Sequence, residues 1–108
     1  MTTPTAQTAE TNRRIASTIL AQLGGNRFIA MTGARNLSAV ADGLCFSVGR
    51  NSEGVNYCRI NLTPADLYNV EYGFIRGGNI KVKATSEGLY ADQLQADFTR
   101  NTGLDTHL

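Results

Sequence analysis

Apolar residues recur at helical spacing near both ends of the chain and alternate strictly in its middle. From about Glu10 to Leu23, Ile15, Ile19, Leu20 and Leu23 share one face of a 3.6-residue period, while Arg13, Arg14, Ser17 and Gln22 lie largely elsewhere. Gly24-Gly25 then stops the helix, because glycine accepts the left-handed conformation that a C-terminal cap needs. Near the other end, Ala91, Leu94, Gln95 and Phe98 trace a second stripe over about Tyr90–Arg100, ended by Asn101-Thr102-Gly103. Two Leu in the tail after it can fold back onto the core.

Between these helices the period becomes two. Arg27–Thr32 reads as a short strand ending at the Gly33 turn, and Leu37–Ala41 as a strand leading to Asp42-Gly43. Leu44, Phe46 and Val48 alternate against Cys45 and Ser47. If Gly49 pairs with Gly54 across the Gly- and Asn-rich loop, those residues share a face with Arg59, Tyr57 and Val55, and Cys45 falls opposite Cys58. Thr63-Pro64-Ala65-Asp66 reads as the start of one or two helical turns. Val70, Tyr72 and Phe74 then alternate against Glu71, Gly73 and Ile75. A three-residue loop, Gly77-Gly78-Asn79, pairs Tyr72 with Ala84 and Phe74 with Val82. In this register Ile80, Val82 and Ala84 belong to the apolar face. Lys81, Lys83, Glu71, Asn56, Ser47 and the two cysteines occupy the other.

Hairpin connections imply an antiparallel sheet. The expected fold is α+β in two layers, with about four to five strands and an N-terminal and a C-terminal helix packed on one face. The 108 residues fit one domain over 10–108, preceded by a flexible, Thr-rich stretch over 1–9.

Composition narrows the function more by exclusion. Hydrophobic residues make up 42% of the chain and charged ones 18%, which suits a soluble globular protein. No apolar run approaches the roughly 20 residues of a membrane span, and no secretory pattern opens the chain, so the expected setting is cytoplasmic, with no membrane partner. Two Cys and a single His at position 107 make no zinc pattern, and His107 lies far along the chain from either thiol, a poor start for a Cys–His pair. No spacing of the acidic residues points to paired carboxylates, and no phosphate-binding glycine motif is present. The expectation is a protein that is not an enzyme, with no catalytic residues, cofactor or metal.

Net charge is only +1, but it is unevenly spread. Residues 26–83 carry Arg27, Arg35, Arg50, Arg59, Arg76, Lys81 and Lys83 against Asp42, Glu53, Asp66 and Glu71. Residues 84–108 carry Arg100 against Glu87, Asp92, Asp97 and Asp105. A basic middle precedes an acidic end. The stretch Arg27–Asn36, "RFIAMTGARN", suits an edge strand and turn first and a phosphate-contacting loop second. Tyr57, Tyr72 and Phe46 are assigned to the core rather than to base stacking, because the apolar face needs them.

The segments "ILAQLGGNRFIAMTGARN", "LTPADLYNVEYG" and "GLYADQLQADFTRNTGL" resemble small proteins encoded by bacteriophages and mobile elements, largely without assigned function, over roughly residues 15–108. The resemblance transfers no catalytic motif. It implies an accessory protein acting inside a bacterial host, often by binding. A counter-defence inhibitor of a complex such as a CRISPR effector is one such role. The expected partner is a host protein or ribonucleoprotein complex. Arg27, Arg35 and Arg76 would meet acidic patches, and Asp92, Asp97 and Asp105 an Arg-lined groove. Two other readings stay open. One is direct nucleic-acid binding through the basic middle, with Arg27, Arg35 and Asn36 at the loop and Lys81 and Lys83 on the sheet. The other is a homo-oligomer joined through the edge of Arg27–Thr32.

Overall fold

The computed structural model describes residues 5–106. Its elements are α1 (Thr5–Leu23), α2 (Gly25–Thr32), β1 (Arg35–Val40), β2 (Gly43–Ser47), β3 (Tyr57–Leu62), β4 (Tyr68–Arg76), β5 (Asn79–Leu89), a 3-10 turn (Ala91–Gln93) and α3 (Leu94–Thr102). The five strands form one antiparallel meander in the order β1-β2-β3-β4-β5. α1 lies against β1 and β2, and α3 against β5 and α1. The expected α+β class, antiparallel sheet and covering helices are all present.

The helix α1 begins at Thr5, earlier than the expected Glu10, so part of the stretch read as flexible is helical. His107 and Leu108 lie outside the described residues, while Leu104 does pack against the core.

The largest local departure is Arg27–Thr32. It is helical, not a strand. Gly24, at φ 129°, breaks α1 from α2 in a conformation that side-chain-bearing residues rarely adopt. Phe28 and Thr32 then stand one turn apart on the same helical face, both buried, with the Thr32 hydroxyl donating to the Phe28 carbonyl at 2.7 Å. Gly33, in the left-handed region, closes the helix with its N–H donating to the Ile29 carbonyl. Arg27, Ala30 and Met31 are good helix formers, and the helical path buries Phe28. Its ring packs edge-on against Phe46 at 5.5 Å and Phe98 at 5.1 Å, uniting α2, β2 and α3, and such burial contributes about 1.5–3 kcal/mol. Tertiary packing here overrides the β preference of Phe-Ile.

The Thr63-Pro64 signature makes a turn and no helix. Thr63 Oγ1 accepts from the N–H groups of Ala65 and Leu67, but Asp66 adopts φ 64°, which cannot propagate a right-handed helix. At the C-terminal end the expected helix from Tyr90 splits into the 3-10 turn and α3. Gln93 Oε1 accepts from the Tyr90 N–H at 2.7 Å, and Gln95 Nε2 donates to the Leu23 carbonyl, capping α1 from α3.

Two strand registers differ from expectation by one residue. In β2–β3, Phe46 lies opposite Cys58, Leu44 opposite Ile60, and Cys45 opposite Arg59. The loop spans one residue more than a Gly49–Gly54 pairing allows. Asn51 bonds to Gly49 and Val55 from within it, which holds the longer turn. In β4–β5, Tyr72 does pair with Ala84, but Phe74 pairs with Lys81 and Arg76 with Asn79, leaving a two-residue turn at Gly77-Gly78. The extra residue is Lys83, taken up as a bulge between the two registers.

Candidate binding surfaces

These shifts decide what faces solvent. On the helix side, Leu44, Phe46, Cys58, Ile60, Val70 and Tyr72 are all buried. Among the described residues the helices pack on that side, and the other side of the sheet carries Cys45 and Ser47 from β2, Tyr57, Arg59 and Asn61 from β3, and Asn69, Glu71 and Gly73 from β4. Tyr57 and Arg59, expected beside Phe46 in the apolar layer, therefore lie on the open face. Cys58, expected on the open face opposite Cys45, is fully buried. The thiols occupy opposite faces and are free.

A shallow hollow of about 370 Å³ sits on the open face, lined by Arg59, Asn61, Asn69, Glu71, Thr85 and Glu87 among others. Arg59 Nε donates to Asn61 Oδ1 at 3.2 Å. The Tyr57 hydroxyl is held above its ordinary pKa, chiefly by burial, with Cys45 and Glu71 adding to the rise and Arg59 opposing it.

The second surface is the end of the β4–β5 hairpin. β3 begins at Tyr57, opposite Gly73, so β4 beyond Gly73 pairs with β5 and with the side chain of Asn56 alone. Asn56 Oδ1 accepts from the Ile75 N–H at 2.7 Å and its Nδ2 donates to the Ile75 carbonyl. The hairpin overhangs the sheet. Its exposed apolar residues are Phe74 at 36%, Ile80 at 55% and Val82 at 48%. The Lys83 bulge reverses the phase: Val82 opposes Gly73 and Ile80 opposes Ile75 on the open side, while Lys81 shares the face of Phe74 and Tyr72. Simple alternation puts Ile80 and Val82 in the apolar layer and Lys81 outside it, and the bulge exchanges them. Between Tyr72 and Ser86 the chain carries Arg76, Lys81 and Lys83 and no acid.

The remaining candidate residues are scattered. Arg27 is exposed on α2, and Arg35 and Asn36 are exposed on β1, where Asn36 adopts φ 57° beside a bulge. β1 and β5 are opposite edges of the sheet, so Arg35 and Asn36 stand apart from Lys81 and Lys83. Asp92 is exposed in the 3-10 turn and lines a hollow with Arg100 and Asp105.

Asp97 is not a surface group at all. It is 1% exposed, and its carboxylate accepts from the Tyr72 hydroxyl at 2.7 Å and from Ser86 Oγ at 2.8 Å. Arg100, largely exposed, reaches it at 3.5 Å. Burial, with the acid beside it, pushes the Tyr72 hydroxyl far above its usual range. This acid ties α3 to β4 and β5, a structural duty that the helical stripe alone did not reveal.

Among the described residues no cluster of three or more His, Cys, Asp or Glu is placed to hold a metal, and no helix is long and apolar enough to cross a membrane. Set against protein-family models, curated proteins and solved structures, the chain matches none.

Proposed function

We propose that the protein is a non-enzymatic binding protein that engages its partner with the overhanging β4–β5 hairpin. The observation that supports this most is the exposure of Phe74, Ile80 and Val82 on one projecting ribbon. Exposed apolar side chains rimmed by polar ones mark protein contacts, and the flanking Arg76, Lys81 and Lys83 favour an anionic rim on the partner. The partner in this reading is a host complex that handles nucleic acid. The biological role is that of an accessory protein of a phage or mobile element, with counter-defence inhibition as its sharpest form.

The absence of any acid between Tyr72 and Ser86 favours a second reading, in which the ribbon contacts nucleic acid directly. One set of variants separates the two. Ile80→Ser with Val82→Ser should abolish capture of a host protein and leave nucleic-acid binding nearly intact. Lys81→Glu with Lys83→Glu should abolish salt-sensitive anisotropy with short DNA or RNA if the second reading holds. Capture of the same host proteins by wild type and by the Ile80→Ser/Val82→Ser variant would refute the first.

A further inference from the structure

The open face carries a pattern that maps onto itself under a two-fold rotation. Cross-strand registers align Cys45, Arg59, Glu71 and Thr85 in one row, with Asn61 and Asn69 in the next row. A two-fold axis parallel to the strands, midway between β3 and β4, would lay β3 of one copy over β4 of another. Arg59 then meets Glu71 of the second copy, Glu71 meets its Arg59, and Asn61 meets its Asn69. Among the described residues neither Arg59 nor Glu71 is in an ion pair within the chain. Arg59 donates to Asn61 and stands opposite Glu71 across the β3–β4 pair, yet neither is locked in an ion pair, so both can take an opposite charge across an interface.

We propose that the open face docks onto a second copy of this chain, sheet on sheet, as an isologous dimer. The contact is small. Under this axis β2 lies over β5 and β3 over β4 of the other copy, while β1 has no strand opposite it. Four strands spaced about 4.8 Å apart and overlapping for about 17–20 Å present a flat area on the order of 350 Å², below the roughly 800 Å² per partner of a stable interface, so the dimer is a weak, concentration-dependent one. The docking also covers Val82, which lies over Ser47 of the other copy in this arrangement.

Pairing of sheet edges is the competing route to a dimer, and both edges are blunted. β1 has a bulge between Arg35 and Ser38, and β5 has two, with Lys81, Lys83 and Glu87 along it. Bulges and charges of this kind obstruct edge-to-edge pairing. The segment expected to offer an edge, Arg27–Thr32, is helix α2. Face docking also sets both hairpins at the same end of the dimer, presenting two ribbons to one partner.

The test is light scattering on the full chain over a concentration series, repeated for Arg59→Glu and for Glu71→Arg. Wild type should show a monomer–dimer equilibrium, and each variant should weaken it at least about tenfold, with circular dichroism confirming the fold. Mixing the two variants is the decisive arm. Each variant alone sets like charges against each other across the axis. In a mixed dimer the carboxylate introduced at position 59 of one copy meets the guanidinium introduced at position 71 of the other, and the unaltered Glu71 meets the unaltered Arg59. Dimer should therefore return only in the mixture. An effect confined to the interior of each chain cannot produce that recovery. Three results would overturn the proposal: a wild type that stays monomeric at millimolar concentration, a dimer indifferent to both variants, or a mixture that stays monomeric. Val82 belongs to both ideas, so the hairpin reading is tested apart from the dimer with Phe74→Ser, which lies on the side of the ribbon away from the docked face. Loss of host capture with an unchanged monomer–dimer equilibrium, or the reverse, shows which idea fails.

Discussion

The two faces of the sheet treat polar groups in opposite ways. On the covered face, an acid is taken out of water and matched to two hydroxyls: Asp97 to Tyr72 and Ser86. On the open face, Arg59 and Glu71 stand on adjacent strands in solvent's reach, with no ion pair between them among the described residues. A buried charge matched inside the fold holds elements together, whereas a half-exposed one outside any ion pair is available for a further contact. By this criterion the covered face is architecture, and the open face, with the hairpin that overhangs it, is where the proposed contacts lie.

The sharpest way to break the comparison is at Asp97. Replacing it with Ala leaves the Tyr72 hydroxyl buried without its acceptor and frees Ser86 and Arg100. We expect a loss of about 3 kcal/mol of stability, read as a lower midpoint in urea, because a buried donor stranded from a charged acceptor costs on that order. Hairpin-mediated binding should survive in whatever fraction remains folded. The matching change on the open face, Glu71→Gln, should alter stability by less than about 0.5 kcal/mol, as surface changes usually do. Equal losses at the two positions would erase the distinction.

The next effect is smaller and depends on pH. Burial lifts the Cys58 thiol well above its ordinary value of 9.0, and the Tyr72 hydroxyl is lifted far above 10.0. Above those values the unfolded chain releases its protons while the folded chain retains them. The unfolded state then binds fewer protons, so stability falls as pH rises. Each group contributes a slope of about 1.4 kcal/mol per pH unit once the unfolded form ionises. The stability gap between wild type and Cys58→Ala should therefore be constant below about pH 8.5 and shrink above 9.0. A gap that stays constant to about pH 11 would place Cys58 in contact with water, against its position on the covered face.

Much of the architecture was legible in the residue pattern. The α1 stripe through Ile15, Ile19 and Leu23, the strand Leu44–Val48, and the pairing of Tyr72 with Ala84 all hold, because each rests on several apolar residues that must bury together. What stayed hidden turned on single residues. Alternation is a two-fold signal, so one extra residue reverses it: the longer β2–β3 loop sent Cys58 inward and Tyr57 outward, and the Lys83 bulge sent Ile80 and Val82 outward. Phe28-Ile29 taken alone favours a strand, but Arg27, Ala30 and Met31 favour a helix, and the contacts of Phe28 with Phe46 and Phe98 go with the helical choice. For the binding surfaces, charge in the sequence pointed to Arg76, Lys81 and Lys83, which the hairpin does bring together. It also pointed to Asp97, which is core. An Asp on a helix facing Tyr and Ser on distant strands leaves no local trace.

The smallest perturbation tests the register itself, with no cost in stability. Cys45 is half-buried on the open face opposite Arg59, and Cys58 is 0% exposed opposite Phe46. In native protein a thiol reagent should modify Cys45 promptly. Cys58 should react only when the molecule opens, at a rate that follows global unfolding and rises with urea. If the two cysteines were directly opposed on the open face, they would react together, or one would shield the other, whatever the urea concentration. The same assay reports on the proposed dimer, because Cys45 lies over Thr85 of the second copy in face-to-face docking. Its labelling should then slow as protein concentration rises, and the Arg59→Glu variant should remove that dependence. A Cys45 rate that is independent of concentration in wild type would leave the register intact and strike at the dimer alone.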